Sequence, residues 1–143
     1  MAGGTGFHSF DTTVDKTNHV LNEIEHAYGW PKSRRNQSYA ALRAVLHALR
    51  DRLPVDESAQ LAAQLPMLIR GLYFDGWNPK RVPVKMGKAE FEERVRREFP
   101  FDIDGDVQSL ISTVLRALQQ FGTAAEWNDV RSTMPKELAS VVP

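Results

Sequence analysis

The chain of 143 residues has the length of one ordinary domain, enough to bury about 68–70% of its unfolded surface without disulfides or a structural metal. The absence of cysteine excludes a disulfide framework, a thiolate zinc site and a cysteine nucleophile, and suits a reducing cytoplasm. Eighteen basic residues balance eighteen acidic ones, but Lys32–Arg52 holds six bases to one acid, Lys80–Arg97 seven to three and Glu98–Pro143 three to seven, so a basic middle precedes an acidic end.

Residues 1–13 read as a disordered leader, because Met1-Ala2-Gly3-Gly4-Thr5-Gly6 has neither the basic start nor the apolar stretch of a secretion signal. No window approaches the roughly 18 consecutive apolar residues of a membrane span, so a cytoplasmic protein that does not enter membranes is expected. Helix one carries the stripe Leu21, Ile24, Tyr28 and stops at Gly29, before Trp30-Pro31. Helix two, from about Arg35 to Leu53, places Leu42, Val45, Leu46, Leu49 and Leu53 on one face and ends at Pro54. Helix three runs from Asp56 to Tyr73, with Leu61, Leu65, Leu68, Ile69 and Leu72 inward.

Residues 75–88 contain Gly76, Pro79, Pro83 and Gly87 and are expected to form an ordered connecting arm. Helix four follows with Phe91, Val95 and Phe99, ended by Pro100. Helix five carries Val107, Leu110, Ile111, Val114, Leu115 and Leu118, ended by Gly122, and the acidic run Asp102-Ile103-Asp104-Gly105-Asp106 is expected to cap it. Helix six opens on a capping box, Thr123-Ala124-Ala125-Glu126, and continues through Trp127, Val130, Met134, Leu138 and Val141.

Leu42–Tyr73 and Ile111–Val142 align without a gap at an offset of 69, with Val45-Leu46-His47-Ala48-Leu49 over Val114-Leu115-Arg116-Ala117-Leu118, Glu57 over Glu126 and Pro66 over Pro135. Their first helices match loosely at an offset of 71, through Val20/Phe91, Ile24/Val95 and Tyr28/Phe99. The expected fold is all-α: a six-helix bundle built from two tandem three-helix repeats, about 14–74 and 89–142, packed about a pseudo-twofold axis into a single domain spanning 14–142. Pro66 and Pro135, some ten residues into their helices, are read as inherited kinks; the alternative is a groove opened by the kink.

The run Leu42-Arg43-Ala44-Val45-Leu46-His47-Ala48-Leu49-Arg50-Asp51-Arg52-Leu53-Pro54, followed by Gln64-Leu65-Pro66-Met67-Leu68 and Gly71-Leu72-Tyr73-Phe74-Asp75-Gly76-Trp77, resembles the bacterial proteins grouped as domain of unknown function 2267. The resemblance covers about Val14 to Val142 and implies an all-helical duplicated domain, with no reaction and no catalytic residues to carry over. Lys136-Glu137 stands where the first repeat has Met67-Leu68, so a surface shared by both repeats is in question.

Catalytic signatures are thin. His19, Glu23 and His26 share one helix face and spell a Glu-x-x-His, but the di-iron site built from that motif needs a second copy, and this trio points away from the apolar stripe. It is a candidate only for stray zinc or nickel, and no cofactor or resident metal is expected. The acidic run before helix five fails as a calcium loop, with Val107 at the glycine position and Thr113 at the bidentate position. Ser58, Ser109 and Ser112 stand in no nucleophile elbow, and Gly3-Gly4-Thr5-Gly6 is no phosphate loop.

Binding is the better-supported expectation. Trp30, Tyr73, Phe74 and Trp77 at helix ends are candidate anchors for a protein partner, with packing between the repeats as the competing explanation. Arg34, Arg35, Lys80, Arg81, Arg94, Arg96 and Arg97 would make a phosphate-contacting patch if folding joined the two basic segments, though a pI near 6.9 is low for a nucleic-acid binder. The expected function is a non-enzymatic interaction or regulatory domain, with nucleic-acid binding second and a metal-dependent enzyme third.

Overall fold

The computed structural model describes residues 4–140, 142 and 143. Among them the elements are α1 (His8–Tyr28), a 3-10 turn (Lys32–Arg34), α2 (Arg35–Arg52), α3 (Val55–Gln64), α4 (Met67–Phe74), α5 (Lys88–Glu98), α6 (Val107–Leu118), α7 (Ala124–Ser132) and α8 (Lys136–Ala139). The described residues are all-helical and contain no strand, and none of their helices is long and apolar enough to cross a membrane.

The helix starts and stops follow local chemistry. Gly29 ends α1 at φ 68°, a left-handed conformation that lets the Trp30 amide donate back to Glu25 O at 2.9 Å. Asp106 caps α6 as expected, its carboxylate accepting from the Ser109 amide at 2.7 Å. At α7 only half of the expected box forms: Thr123 Oγ1 accepts from the Glu126 amide at 3.2 Å, while Glu126 Oε2 is buried without a partner. The reach-back occurs at α5, where Glu90 Oε2 accepts from the Gly87 amide at 3.1 Å.

Three expectations are corrected. α1 begins at His8, inside the segment 1–13 expected as a leader; Met1–Gly3 lie outside the described residues. Asp11 stabilises this start, accepting from Thr5 Oγ1 at 2.6 Å and favouring the positive end of the helix. The prolines do not kink long helices but divide them, so helices three and six become four segments. Leu65 is extended at ψ 147°, and Pro66 and Pro135 each precede a new helix with nearly equal angles, φ −56°, ψ 151° and φ −55°, ψ 149°. Other side chains satisfy the groups freed at the first break: Thr13 Oγ1 accepts from the Leu68 amide at 2.8 Å, and Arg70 donates to Ala62 O and Leu65 O at 2.9 and 3.0 Å. The break also resets the helical phase, so Ile69 and Tyr73 are buried while Leu68, expected inward, is exposed. Val141, expected on the last apolar face, lies outside the described residues.

The core is organised around α2, which is buried on nearly every side and packs against α1, α4, α5 and α6. Ala40, Ala41, Ala44 and Ala48 let neighbouring helices approach it closely, and Leu42, Val45, Leu46 and Leu49 fill the contacts. α1 also packs on α6, α3 on α7, and α5 on both α6 and α8. Residues 75–87 form an ordered loop strapped to the end of α2, with the Val84 amide donating to Asp51 O at 2.7 Å and Arg52 Nε to Met86 O at 3.2 Å.

Candidate docking groove

A groove of about 700 Å³ opens between α1, α2 and α4. Its floor is apolar: Leu21 from α1, Leu42 from α2 and Ile69 from α4. Its lips are also apolar yet face solvent, with Phe10 49%, Tyr39 45%, Met67 54% and Leu68 47% exposed, and Phe7 58% exposed beside Phe10. The Phe7 and Phe10 rings lean together with centroids 5.2 Å apart. Arg43 and Asp75 close one end as an ion pair at 3.2 Å.

Local rules account for this exposure. The two-residue break at Leu65-Pro66 gives α4 a new phase, and burying Ile69 and Tyr73 turns Met67 and Leu68 outward. Phe10 and Val14 belong to the early turns of α1, upstream of residue 17, which aligns with the start of α5 at an offset of 71. At the offset of 69, the sequence has Lys136-Glu137 opposite Met67-Leu68. There Glu137 Oε1 accepts from the Lys88 amide at 3.2 Å instead of leaving an apolar lip.

The candidate anchors fall elsewhere. Tyr73 is fully buried, its hydroxyl 2.8 Å from Ser58 Oγ, and burial pushes the phenol pKa up. Trp30 is 7% exposed, stacked on Tyr28 at 4.6 Å, and its indole donates to Asp104 at 2.9 Å. Phe74 and Trp77 are half-buried against each other at 4.9 Å, with Phe74 edge-on to Tyr73. Packing accounts for Trp30 and Tyr73, which are closed to a partner. Tyr39, Met67, Leu68 and Phe10 are the exposed apolar side chains that sequence reasoning missed. The one available signal was Met67-Leu68 against Lys136-Glu137.

The basic residues do not gather into one surface. Arg34 and Arg35 lie at the start of α2, whereas Arg94 pairs with Asp51 near its end at 2.8 Å, about 24 Å along the axis. Arg35 is occupied by Glu25 at 3.0 Å, and Arg34 lies 4.7 Å from the Trp30 ring centre. Arg96 is 3.7 Å from Glu93, Lys80 and Arg81 sit exposed in the loop, and Arg97 is exposed on α5. His19, Glu23 and His26 do not converge as a set of three either. His19 Nε2 contacts Glu23 Oε1 at 2.7 Å on an exposed face, and no group of three metal-ligating residues occurs among the described residues.

A partly buried polar chain joins α2, α4 and α5. His47 Nε2 faces Leu72 O at 2.8 Å and Nδ1 faces Glu98 Oε2 at 3.1 Å. Burial pushes the Glu98 carboxyl up, but hydrogen bonds from His47 and then Arg94 outweigh it and hold its pKa at about 2. Arg94 bridges Glu98 at 2.9 Å and Asp51 at 2.8 Å, and Asp51 accepts from Arg50 Nε at 2.9 Å. Arg50 in turn donates to the carbonyls of Tyr73 and Asp75. These contacts fix the end of α4, and hence one end of the groove, to α2 and α5. The pairs His47/Glu98 and Asp51/Arg94 run in opposite order along the two helices, so α2 and α5 are antiparallel.

The family model described as Uncharacterized conserved protein (DUF2267) matches residues 17–141. No curated protein matches the chain. The groove floor and the α2 and α4 lips lie inside the matched range; Phe10, Thr13 and Val14, which form the outer α1 wall, precede it.

Proposed function

The chain belongs to the DUF2267 family, and from that premise we propose that it is a non-enzymatic protein-interaction domain whose docking face is the α1/α2/α4 groove. The observation that carries this reading is the ring of four half-exposed apolar side chains, Phe10, Tyr39, Met67 and Leu68, around an apolar hollow of about 700 Å³. Single exposed hydrophobics need no explanation, whereas a contiguous set around a concavity has the anatomy of a binding surface. The earlier proposal of Trp30 and Tyr73 as anchors gives way to these residues, because both are core.

We infer as well that the two halves are four-helix repeats related by a pseudo-twofold axis and form one domain. Supporting this, α2 meets α5 as α6 meets α1, and α1/α4 is answered by α5/α8. The pairs α2/α6 and α3/α7 would each straddle the axis. On this reading one repeat keeps a structural role while the other has acquired the docking face.

The test uses the repeat's own counterpart residues. Met67→Lys with Leu68→Glu places the second-half pair on the first-half lip, and both positions are already exposed, so helicity and melting should be retained. Immobilised wild-type chain should retain a protein from its native lysate that the double variant releases. Equal retention by both forms would remove the groove from the reading.

A further inference from the structure

We propose that the occupant of the groove is a second copy of this chain, in an isologous dimer that seats the Phe7–Phe10 ring pair of each protomer over the hollow of the other. The proposal rests on the groove being a docking face and adds the identity of what docks. The face carries exposed rings and a recess together: Phe7 and Phe10 stand at the start of α1, Phe10 lining the edge of the groove that continues toward α4. A patch holding both can match itself across a twofold axis, as an isologous interface requires.

The area agrees with that use. Phe7, Phe10, Tyr39, Met67 and Leu68 are each about half exposed, and at about 100 Å² apiece they offer about 500 Å² of apolar surface. A standard interface takes about 800 Å² from each partner, of which about 450–520 Å² is apolar. The face therefore supplies the apolar share of a complete dimer interface without enlisting another surface. Electrostatics do not oppose the pairing. The chain's formal net charge is zero, and the charged pair at the groove end, Arg43 and Asp75, is already neutralised within each protomer at 3.2 Å.

The experiment is sedimentation of the full chain from about 1 μM to 1 mM, a span that brackets micromolar association. Wild type should shift from monomer to dimer with concentration, and Met67→Lys/Leu68→Glu should weaken association at least about thirtyfold with unchanged helical signal and melting. If that double variant fails to fold, Phe10→Lys, on the exposed face of α1, serves in its place with the same expectation. A wild type that stays monomeric throughout, or a folded variant that dimerises as well as wild type, overturns the proposal. The seating is tested separately: because the chain has no cysteine, a nitroxide on Ser9→Cys marks the ring pair uniquely. Mixed with isotope-labelled chain, it should broaden the Leu42 and Ile69 methyls of the other protomer, and broadening confined to residues outside the groove overturns it. A monomeric wild type combined with groove-dependent retention of a different protein would leave the docking function standing and remove only the second copy.

Discussion

Glu98 and Glu57 are both partly buried carboxylates, yet their neighbours act in opposite senses. At Glu98, burial raises the carboxyl, but His47 and Arg94 overcome it and hold the pKa at about 2, below the usual 4.5. A depressed acid stabilises the fold above its unfolded pKa and loses that contribution as pH falls through the folded value. Glu98→Gln should therefore cost up to about 3 kcal/mol at neutral pH, and the gap from wild type should close between pH 4.5 and about 2 in urea unfolding curves. At Glu57, burial first and then Asp129, Glu126 and Asp56 raise the carboxyl above 4.5, and its Oε1 is buried without a partner. A raised acid favours the fold while protonated and loses that contribution as pH rises through the folded value. Glu57→Gln should raise the melting temperature at pH 7, and the advantage should fade below the ordinary carboxylate range; a lower melting temperature at pH 7 would contradict the like-charge crowding around α3 and α7.

At the scale of elements, the break between α3 and α4 depends on donors that a helical pattern cannot reveal. Arg70 donates to Ala62 O and Leu65 O, and Thr13 accepts from the Leu68 amide across 55 positions of sequence. Arg70→Ala should leave Leu65 O without that donor, while Ala62 O keeps the Leu65 amide at 3.1 Å, and cost about 1 kcal/mol, with faster amide exchange on α4 around Ile69 than on α2. Uniform exchange across both helices would show that the break is held by packing alone. The same dependence explains what the sequence disclosed. Stripes such as Leu42, Val45, Leu46 and Leu49 are period signals, and Gly29 and Asp106 are local stop and start signals; all are read within one element. A proline within an apolar pattern is ambiguous, because kink or break depends on whether distant side chains satisfy the freed groups. Trp30 and Tyr73 are ambiguous for a similar reason: a helix-end aromatic is core or surface according to what folds over it, here Asp104 for one and Ser58 for the other. A groove at Pro66 is the alternative reading of the sequence, but its lips are not legible there, because Leu68 fits the buried stripe of an unbroken helix and only the break turns it outward.

Across the whole molecule, α2 contacts helices from both ends of the chain, and from these contacts one cooperative folding unit is predicted. α1 and α4 cover α2 from its own half, α5 and α6 cover it from the other, and Val45, Leu46, Leu49 and Leu53 are all at most 1% exposed. Phe91 and Val95 of α5, fully buried, depend on the same contact. Uncovering a large aliphatic or aromatic side chain costs about 1.5–3 kcal/mol, and a domain of this size has only about 5–15 kcal/mol of net stability. Losing cover over three or four such residues is thus enough to unfold either half. Cutting the chain in the exposed loop after Asn78 should give fragments 1–78 and 79–143 that lack cooperative melting and dispersed amide spectra when separate. Mixed in equal amounts they should regain both, because the lost contacts are non-covalent and lie between the fragments. A first fragment that melts cooperatively alone would mean that α1, α3 and α4 suffice to bury α2, and that the second half is an appended body rather than part of the same core.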